Sequence, residues 1–310
     1  MPKMTMRDGA RLHYLDIGRG PACVMLHGFA MQGAMWLPLI APLAHRYRFI
    51  LPDLRGFGFS HRLQLSTPSI LDQHAHDLSD LLDGLQLGRV HLAGLSMGAC
   101  TSLQYNRLYG FDRVHAYLHM DQAPCVRNDG DWQHGLLGAD QAERFAQWHT
   151  LSEKLLACGR DTPFAQLPVA LRKELFATLA EFLNYGFHSR LWRALRHAAR
   201  HEVLMRYVAP TANWPIYIDT LSSYLRDDYD WRPSLPKIRA PMTVMVGMRS
   251  TMYPAQGQLS IADQVPHARF VRVPNSGHVV PFEAPRLFVR ELTRFLAGAR
   301  AAPRLVSSAA

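Results

Sequence analysis

The chain has 310 residues, of which 48% are hydrophobic and 19% are charged. This composition excludes a disordered chain and allows one large α/β domain or two of average size. The sequence has no run of about 18 uncharged apolar residues and no signal-like apolar segment at its start, so we expect neither a membrane span nor secretion. Its four cysteines are far apart without a CxxC motif, which argues against a metal site or disulfide framework and favours free thiols in the cytoplasm.

The net charge of +9 and the isoelectric point near 9.6 raise the question of nucleic-acid binding. Much of the excess lies in residues 187–207 and at the C-terminus, without an RRM, helix-turn-helix or zinc-finger pattern. We therefore expect no nucleic-acid partner. On a helix, Arg193, Arg196 and Arg200 would share one sector, which indicates an amphipathic helix with a solvated basic face. The alternative is that this charge attracts an anionic substrate, such as the acyl thioester of a carrier or coenzyme.

Short apolar runs alternate with helical patterns in the first part of the chain, which predicts βαβ units and a parallel sheet. Residues 11–18 alternate apolar and polar side chains and end in glycine, as an edge strand would. Buried strands are then predicted over residues 22–29, 48–56, 90–98 and 114–122, and helices over 32–45, 69–86 and from Ser96 to Gly110.

The pattern changes over residues 124–236, which contain no buried-strand run and are helical and rich in aromatic side chains. Strands return at 242–248 and 268–274, and a closing helix follows at 284–297. The simplest account is an α/β core interrupted by an inserted helical cap. The predicted boundaries are 1–123 and 237–298 for the core, 124–236 for the cap and 299–310 for a flexible tail.

Residues 94–98 form the pattern G-x-S-x-G. The pattern follows an apolar strand and opens a helix, which is the strand–turn–helix arrangement of a nucleophile elbow. Such a turn holds the serine in strained backbone geometry, and Gly94 and Gly98 leave room that side chains would fill. We therefore expect Ser96 Oγ to project above the carboxyl edge of the sheet, where ligands bind in open α/β folds.

A serine hydroxyl is a weak nucleophile until a neighbouring base takes its proton. Among 16 histidines, His278 follows the last predicted strand, which gives the order serine first and histidine last. His27 is the main rival, but it follows the first buried strand, where it and Gly28 are better placed to shape an oxyanion loop. The Phe29 N–H of that loop and the Met97 N–H at a helix N-terminus would then face the developing negative charge.

Four motifs resemble, in their expected order, the α/β-hydrolase superfamily: HGFA at 27–30, DLRGFGFS at 53–60, GLSMG at 94–98 and PNSGHVVPFEAP at 274–285. Within it they resemble the capped branch of esterases, C–C hydrolases, haloperoxidases and lactonases. The resemblance covers residues 10–122 and 238–297. It implies an α/β-hydrolase fold, with Ser96 and His278 as triad members, the two N–H groups named above as oxyanion donors, and a cap that roofs the pocket. It implies neither a cofactor nor a metal.

The third triad member departs from the family pattern. Related proteins carry G-x-x-D-x-x-x-P after the strand that follows the cap, whereas this chain keeps Gly247 and Pro254 but has Ser250 in place of the acid. The strand predicted at 114–122 carries Asp121 at its carboxyl tip, a known alternative position for the acid in this superfamily. We predict Asp121 as the triad acid. Asp230, or a dyad that has no acid, remains the alternative.

A serine nucleophile argues against the haloalkane dehalogenases and epoxide hydrolases of this fold, which use aspartate. We predict hydrolysis of a small carboxylic ester, lactone or thioester with an apolar group, through an acyl-enzyme on Ser96. A C–C bond hydrolase, a cofactor-free dioxygenase with its acid where Asp121 lies, and a non-catalytic ligand-binding protein remain as alternatives. An exposed apolar cap face could serve substrate entry or a homodimer interface equally well.

Overall fold

The computed structural model describes residues 2–188 and 213–298. Its central feature is an eight-stranded sheet in the order β1-β2-β4-β3-β5-β6-β7-β8. The strands are β1 (Lys3–Thr5), β2 (Arg11–Gly18), β3 (Ala22–Leu26), β4 (Arg48–Pro52), β5 (Val90–Leu95), β6 (Val114–Met120), β7 (Met242–Gly247) and β8 (Arg269–Val273). In the sheet, neighbouring strands pair in parallel along the series β4-β3-β5-β6-β7-β8. Strand β2 pairs antiparallel to both β1 and β4.

Helices pack on both faces of this sheet. They are α1 (Leu37–Ile40), α2 (Ile70–Gly84), α3 (Met97–Tyr109), α4 (Gln141–Leu156), α5 (Val169–Asn184), α6 (Pro215–Arg226), α7 (Ala255–Leu259), α8 (Ile261–Gln264), α9 (Val280–Glu283) and α10 (Pro285–Leu296). Side chains alternate between the two faces along β3, so that Val24 lies in the core with α2 and α3, and Met25 in the core with α1 and α10. The predicted α/β class with a mostly parallel sheet is confirmed.

Two predicted elements differ from the structure. The strand at 11–18 is not an edge strand along its whole length, because its first three residues, Arg11 to His13, pair with Lys3–Thr5 of β1. The helix predicted over 32–45 is a succession of short 3-10 and α turns, since Pro38 and Pro42 each begin a new turn and cannot donate within a longer helix. The closing helix predicted over 284–297 is present as α10, which begins at Pro285, and the separate short helix α9 precedes it.

Between β6 and β7 the described residues contain α4, α5, α6 and short 3-10 turns, and an isolated bridge joins Cys125 to Asp230 near the two ends of the segment. The cap boundaries at 124 and 236 stay a prediction. Arg193, Arg196 and Arg200 of the predicted basic helix lie outside the described residues, as does the predicted tail at 299–310. Within the described ranges, no helix has the length and apolar character needed to cross a membrane.

The register of the sheet brings several strand ends to one edge. Leu26 of β3 lies opposite Gly94 of β5, and Leu95 lies opposite Met120 of β6. Met120 in turn lies opposite Met245 of β7. The loops that leave these strands therefore meet at the carboxyl edge, which is where ligands bind in sheets of this kind.

Candidate active site

Ser96 occupies the sharp turn between β5 and α3. Its backbone has φ 53° and ψ −119°, and its N–H donates to the Met120 carbonyl across 3.0 Å. A Cβ at Gly94 would lie 2.4 Å from the Gly98 carbonyl oxygen, and a Cβ at Gly98 would lie 2.3 Å from the Leu26 carbonyl oxygen. Both glycines are therefore required sterically, and the half-buried serine is held at the edge of the sheet.

Backbone strain is concentrated at this edge. In the part of the chain that the structure describes, five non-glycine residues have a positive φ, and three of them lie here: Ala30, Ser96 and Asp121, with φ values of 57°, 53° and 45°. Each follows the end of a different parallel strand. A left-handed backbone at a non-glycine residue costs about 1–3 kcal/mol and persists where the surrounding structure enforces it, most often at functional sites. The three strained residues therefore mark the carboxyl edge as the candidate site.

His278 and Asp121 form a buried pair beside this turn. His278 Nδ1 lies 2.6 Å from Asp121 Oδ2, and the two residues are 4% and 0% exposed. Because a carboxylate oxygen only accepts hydrogen bonds, Nδ1 carries the ring hydrogen and Nε2 of the neutral imidazole is left without one. This is the tautomer that a general base needs.

The other acid candidates have different partners. Ser250, at the position where related proteins carry the acid, donates its hydroxyl to Asp121 Oδ2 across 2.7 Å. Asp230 instead accepts from the guanidinium of Arg232, at 2.9 Å to Oδ1 and 2.8 Å to Oδ2. The structure thus brings His278 together with Asp121 and keeps Asp230 in a bidentate ion pair elsewhere.

His27 is fully buried below the loop that follows β3. The Leu54 N–H donates to its Nε2 across 2.9 Å, so that Nδ1 carries the hydrogen and donates to the Gly28 carbonyl at 2.8 Å. Burial lowers the pKa of the His27 imidazole. Both of its ring nitrogens therefore serve to hold the loop, and neither is available to accept a proton from Ser96.

The same loop passes directly over the nucleophile elbow. A Cβ at Gly28 would lie 3.4 Å from the Ser96 Cβ and 3.2 Å from the Met31 sulfur. Within residues 2–188 and 213–298, neither the Phe29 N–H nor the Met97 N–H donates a hydrogen bond. Met97 is also the first residue of α3, where the helix dipole favours negative charge. Two N–H groups in the segments next to Ser96 are thus unpaired, which is compatible with an oxyanion site.

Aromatic side chains from the inserted segment pack on the Phe29 ring. Ring centroids of Phe182 in α5 and Tyr217 in α6 lie 5.2 and 5.9 Å from that of Phe29, and Phe57 lies at 5.5 Å. Trp148 of α4 lies 5.6 Å from Phe182. Sequence reasoning noted the many aromatic residues of the insertion but missed this grouping, because helical spacing alone does not reveal which of them face the core.

Two further residues lie near the Asp121–His278 pair. They belong to no recognised motif, so the sequence did not indicate their place in the site. Gln258 of α7 donates to Asp121 Oδ1 at 3.1 Å, and the ring centroid of Tyr253 lies 6.1 Å from that of His278. The one available signal was Pro254, which keeps the place of the proline in the family pattern and immediately precedes α7. In the part of the chain that the structure describes, no group of three or more His, Cys, Asp or Glu side chains could hold a metal ion.

The sequence is similar to those of known proteins. A family model described as alpha/beta hydrolase fold matches residues 21–285. A pimeloyl-[acyl-carrier protein] methyl ester esterase of Nitrosomonas europaea is 25% identical over 280 residues, which cover 90% of this chain and 97% of that protein. The protein of the same name from Xanthomonas oryzae pv. oryzae is 29% identical over 295 residues, with 92% and 99% covered.

Solved structures resemble the chain over nearly its whole length. An esterase from Exiguobacterium antarcticum matches with a TM-score of 0.75 at 21% identity, covering 96% of this chain and 99% of its own. An enol-lactonase from Burkholderia xenovorans matches with a TM-score of 0.72 at 21% identity, covering 96% and 100%. At 21% sequence identity, the similarity to these two structures shows a shared fold only.

Proposed function

The chain belongs to the α/β-hydrolase fold family, and from this premise we propose that it is a serine ester hydrolase in which Ser96 is the nucleophile and His278 the base. The assignment of roles rests above all on the 2.6 Å contact that orients His278 through Asp121. It is supported by the strained elbow at Ser96 and by the two unpaired N–H groups beside it.

The reaction follows from these positions. Ser96 Oγ attacks the ester carbonyl carbon while His278 Nε2 takes the hydroxyl proton, and the Asp121 carboxylate stabilises the imidazolium that forms. The carbonyl oxygen becomes an oxyanion between the Phe29 and Met97 N–H groups, each of which contributes about 3 kcal/mol to lowering the barrier. His278 then gives its proton to the leaving alkoxide, so that an alcohol departs and an acyl-enzyme remains.

Deacylation repeats these steps with water as the nucleophile. His278 takes a proton from the water as it attacks the acyl carbonyl, the same N–H groups hold the second oxyanion, and the proton returns to Ser96 Oγ as the acid is released. No step needs a group that the chain does not itself supply, apart from substrate and water.

We propose an ester with an aliphatic acyl chain as the substrate. The support is the buried aromatic group formed by Phe29, Trp148, Phe182 and Tyr217, which makes the surroundings of the oxyanion loop apolar. The relatives' printed substrate, a methyl ester of a carrier-bound pimeloyl group, is an ester of this type. The net charge of +9 supports an anionic carrier or head group on that substrate.

We also propose a cellular location for the protein. A cytoplasmic location is supported by the four cysteines, all of which are free in the structure. The homodimer stays a prediction.

Acyl-chain preference tests this substrate proposal. Phe182→Ala should raise KM for p-nitrophenyl octanoate about fivefold and leave the acetate ester within about twofold, because a lost aromatic contact is worth about 1 kcal/mol to a chain long enough to reach it. Steady-state kinetics with p-nitrophenyl esters of two to ten acyl carbons would measure this.

Phe176→Ala is the matched control, since Phe176 lies on the same helix but packs against Phe164, with ring centroids 5.1 Å apart. If both variants lose activity equally at every chain length, Phe182 serves the packing of the insertion and the acyl-site proposal is wrong. Wild-type protein that hydrolyses none of these esters would contradict the proposed function itself.

A further inference from the structure

The Asp121 carboxylate is completely buried, and donors reach both of its oxygens. Oδ1 accepts from the Gly247 N–H at 2.8 Å and from Gln258 Nε2 at 3.1 Å. Oδ2 accepts from the Ser250 hydroxyl at 2.7 Å as well as from His278 Nδ1 at 2.6 Å. A buried carboxylate without water requires such donors to remain charged. Three residues besides His278 therefore donate hydrogen bonds to this carboxylate.

The direction of the Ser250 hydroxyl is set by its surroundings. The Tyr253 N–H donates to Ser250 Oγ across 3.4 Å, while the carboxylate on the other side can only accept. The hydroxyl hydrogen therefore lies on Asp121 Oδ2. Ser250 thus shares one carboxylate oxygen with His278.

The orientation of the Gln258 amide is equally determined. Its Nε2 lies 3.1 Å from Asp121 Oδ1 and 3.0 Å from the Tyr253 carbonyl oxygen, and both of these atoms are acceptors. The NH2 group must face them, although this leaves the buried Oε1 without a partner in the described part of the chain. An unpaired buried carbonyl costs about 1–3 kcal/mol, so the site retains the two donors at the expense of the acceptor.

Rotation of the carboxylate would break contacts on both oxygens at once. Gly247 has no side chain there because a Cβ would lie 1.9 Å from the Gly277 carbonyl oxygen and 3.0 Å from Asp121 Oδ1. Its N–H and the amide of Gln258 therefore fix Oδ1, and Ser250 fixes Oδ2 at the position from which it contacts His278 Nδ1.

We propose that Ser250 and Gln258 are positioning residues, which hold the Asp121 carboxylate in the orientation that directs the imidazole of His278. Ser250 stands where related proteins carry the acid, and here it supports an acid supplied by the neighbouring strand. This inference rests on the proposed function, because it assigns these residues a part in the same reaction.

The first test is the split between kcat and KM. Ser250→Ala should lower kcat for p-nitrophenyl butyrate about 10- to 100-fold, the worth of one hydrogen bond to a charged group, with KM nearly unchanged. Ser250→Thr keeps the hydroxyl and should recover most of kcat. Gln258→Met, which removes the donor at similar length, should also lower kcat with little change in KM.

Thr251→Ala is the matched control, since the neighbouring hydroxyl donates to the Tyr185 carbonyl at 3.2 Å and does not contact the carboxylate. It should leave kcat unchanged. If Ser250→Ala behaves like Thr251→Ala, or if Ser250→Thr fails to restore kcat while the protein unfolds at the wild-type temperature, the positioning role is wrong.

A second test compares the loss of kcat that Ser250→Ala causes in the wild-type protein with the loss that it causes in the Asp121→Ala variant. In Asp121→Ala there is no carboxylate to orient, so adding Ser250→Ala should cause little further loss of kcat. An equal loss in both backgrounds would show that Ser250 acts only on the fold and would overturn the inference. Ser96→Ala is measured alongside: if that variant stays active, the proposed function fails, whereas an inactive Ser96→Ala with additive losses at Ser250 rejects this inference alone.

Discussion

Replacing Ser96 with alanine is expected to lower kcat for ester hydrolysis about a millionfold, the scale of loss when a triad serine is removed. Alanine keeps the Cβ that already tolerates the φ of 53° at this turn, so the fold should be retained. The residual rate would come from the oxyanion donors and from substrate binding alone. Initial rates of p-nitrophenyl butyrate hydrolysis, with circular dichroism and thermal unfolding as checks on the fold, measure this.

Ser234→Ala is a suitable control for Ser96→Ala. Its buried hydroxyl donates to the Trp231 carbonyl at 2.9 Å, so the substitution removes a serine hydroxyl that takes no part in the site. We expect near wild-type turnover. A Ser96→Ala protein that keeps full turnover would rule out the acyl-enzyme and would favour a reaction in which His278 alone acts as base.

Asp121→Asn is expected to lower kcat about ten-thousand-fold, the scale of loss when a triad carboxylate becomes an amide. The environment determines which way the amide turns. Oδ1 is surrounded by donors from Gly247 and Gln258 and must remain an oxygen. The NH2 group is then forced onto the side of Ser250 and His278, where it donates to Nδ1 and leaves the hydrogen on Nε2. In that tautomer the histidine cannot take the serine proton.

Asp230→Asn tests the alternative acid. Because Asp230 pairs with Arg232, we expect this variant to keep kcat and to show at most a small change in thermal stability. Steady-state kinetics of both variants decide the assignment. An active Asp121→Asn together with an inactive Asp230→Asn would transfer the role to Asp230, and two active variants would indicate a dyad without an acid.

Much of the architecture could be predicted from the sequence because its signals are local. The buried strands lie within a few residues of the apolar runs, and G-x-S-x-G marks the elbow because only glycine fits at Gly94 and Gly98. The parallel sheet and the hydrolase assignment are confirmed. The three residues of β1 are too few to carry a periodic signal, and the pattern of apolar residues does not show where prolines interrupt a helix, as at Pro38 and Pro42.

The finer geometry of the site could not be predicted in the same way. The position of Asp121 at the end of a buried strand is a local signal, but its donors come from 126 to 157 residues further along the chain. Nothing in the residues around Gln258 indicates that its amide reaches this carboxylate. Likewise, the contact between Phe182 and Phe29 depends on how the insertion packs against the core, which composition and helical spacing do not determine.

The most direct test of the central claim is covalent labelling of the folded wild-type protein with a fluorophosphonate probe, followed by peptide mass spectrometry. We expect one probe per chain, attached to Ser96, and no labelling of Ser96→Ala. If the well-folded protein does not react, or reacts at another residue, then Ser96 is not an activated nucleophile and the proposed mechanism is wrong.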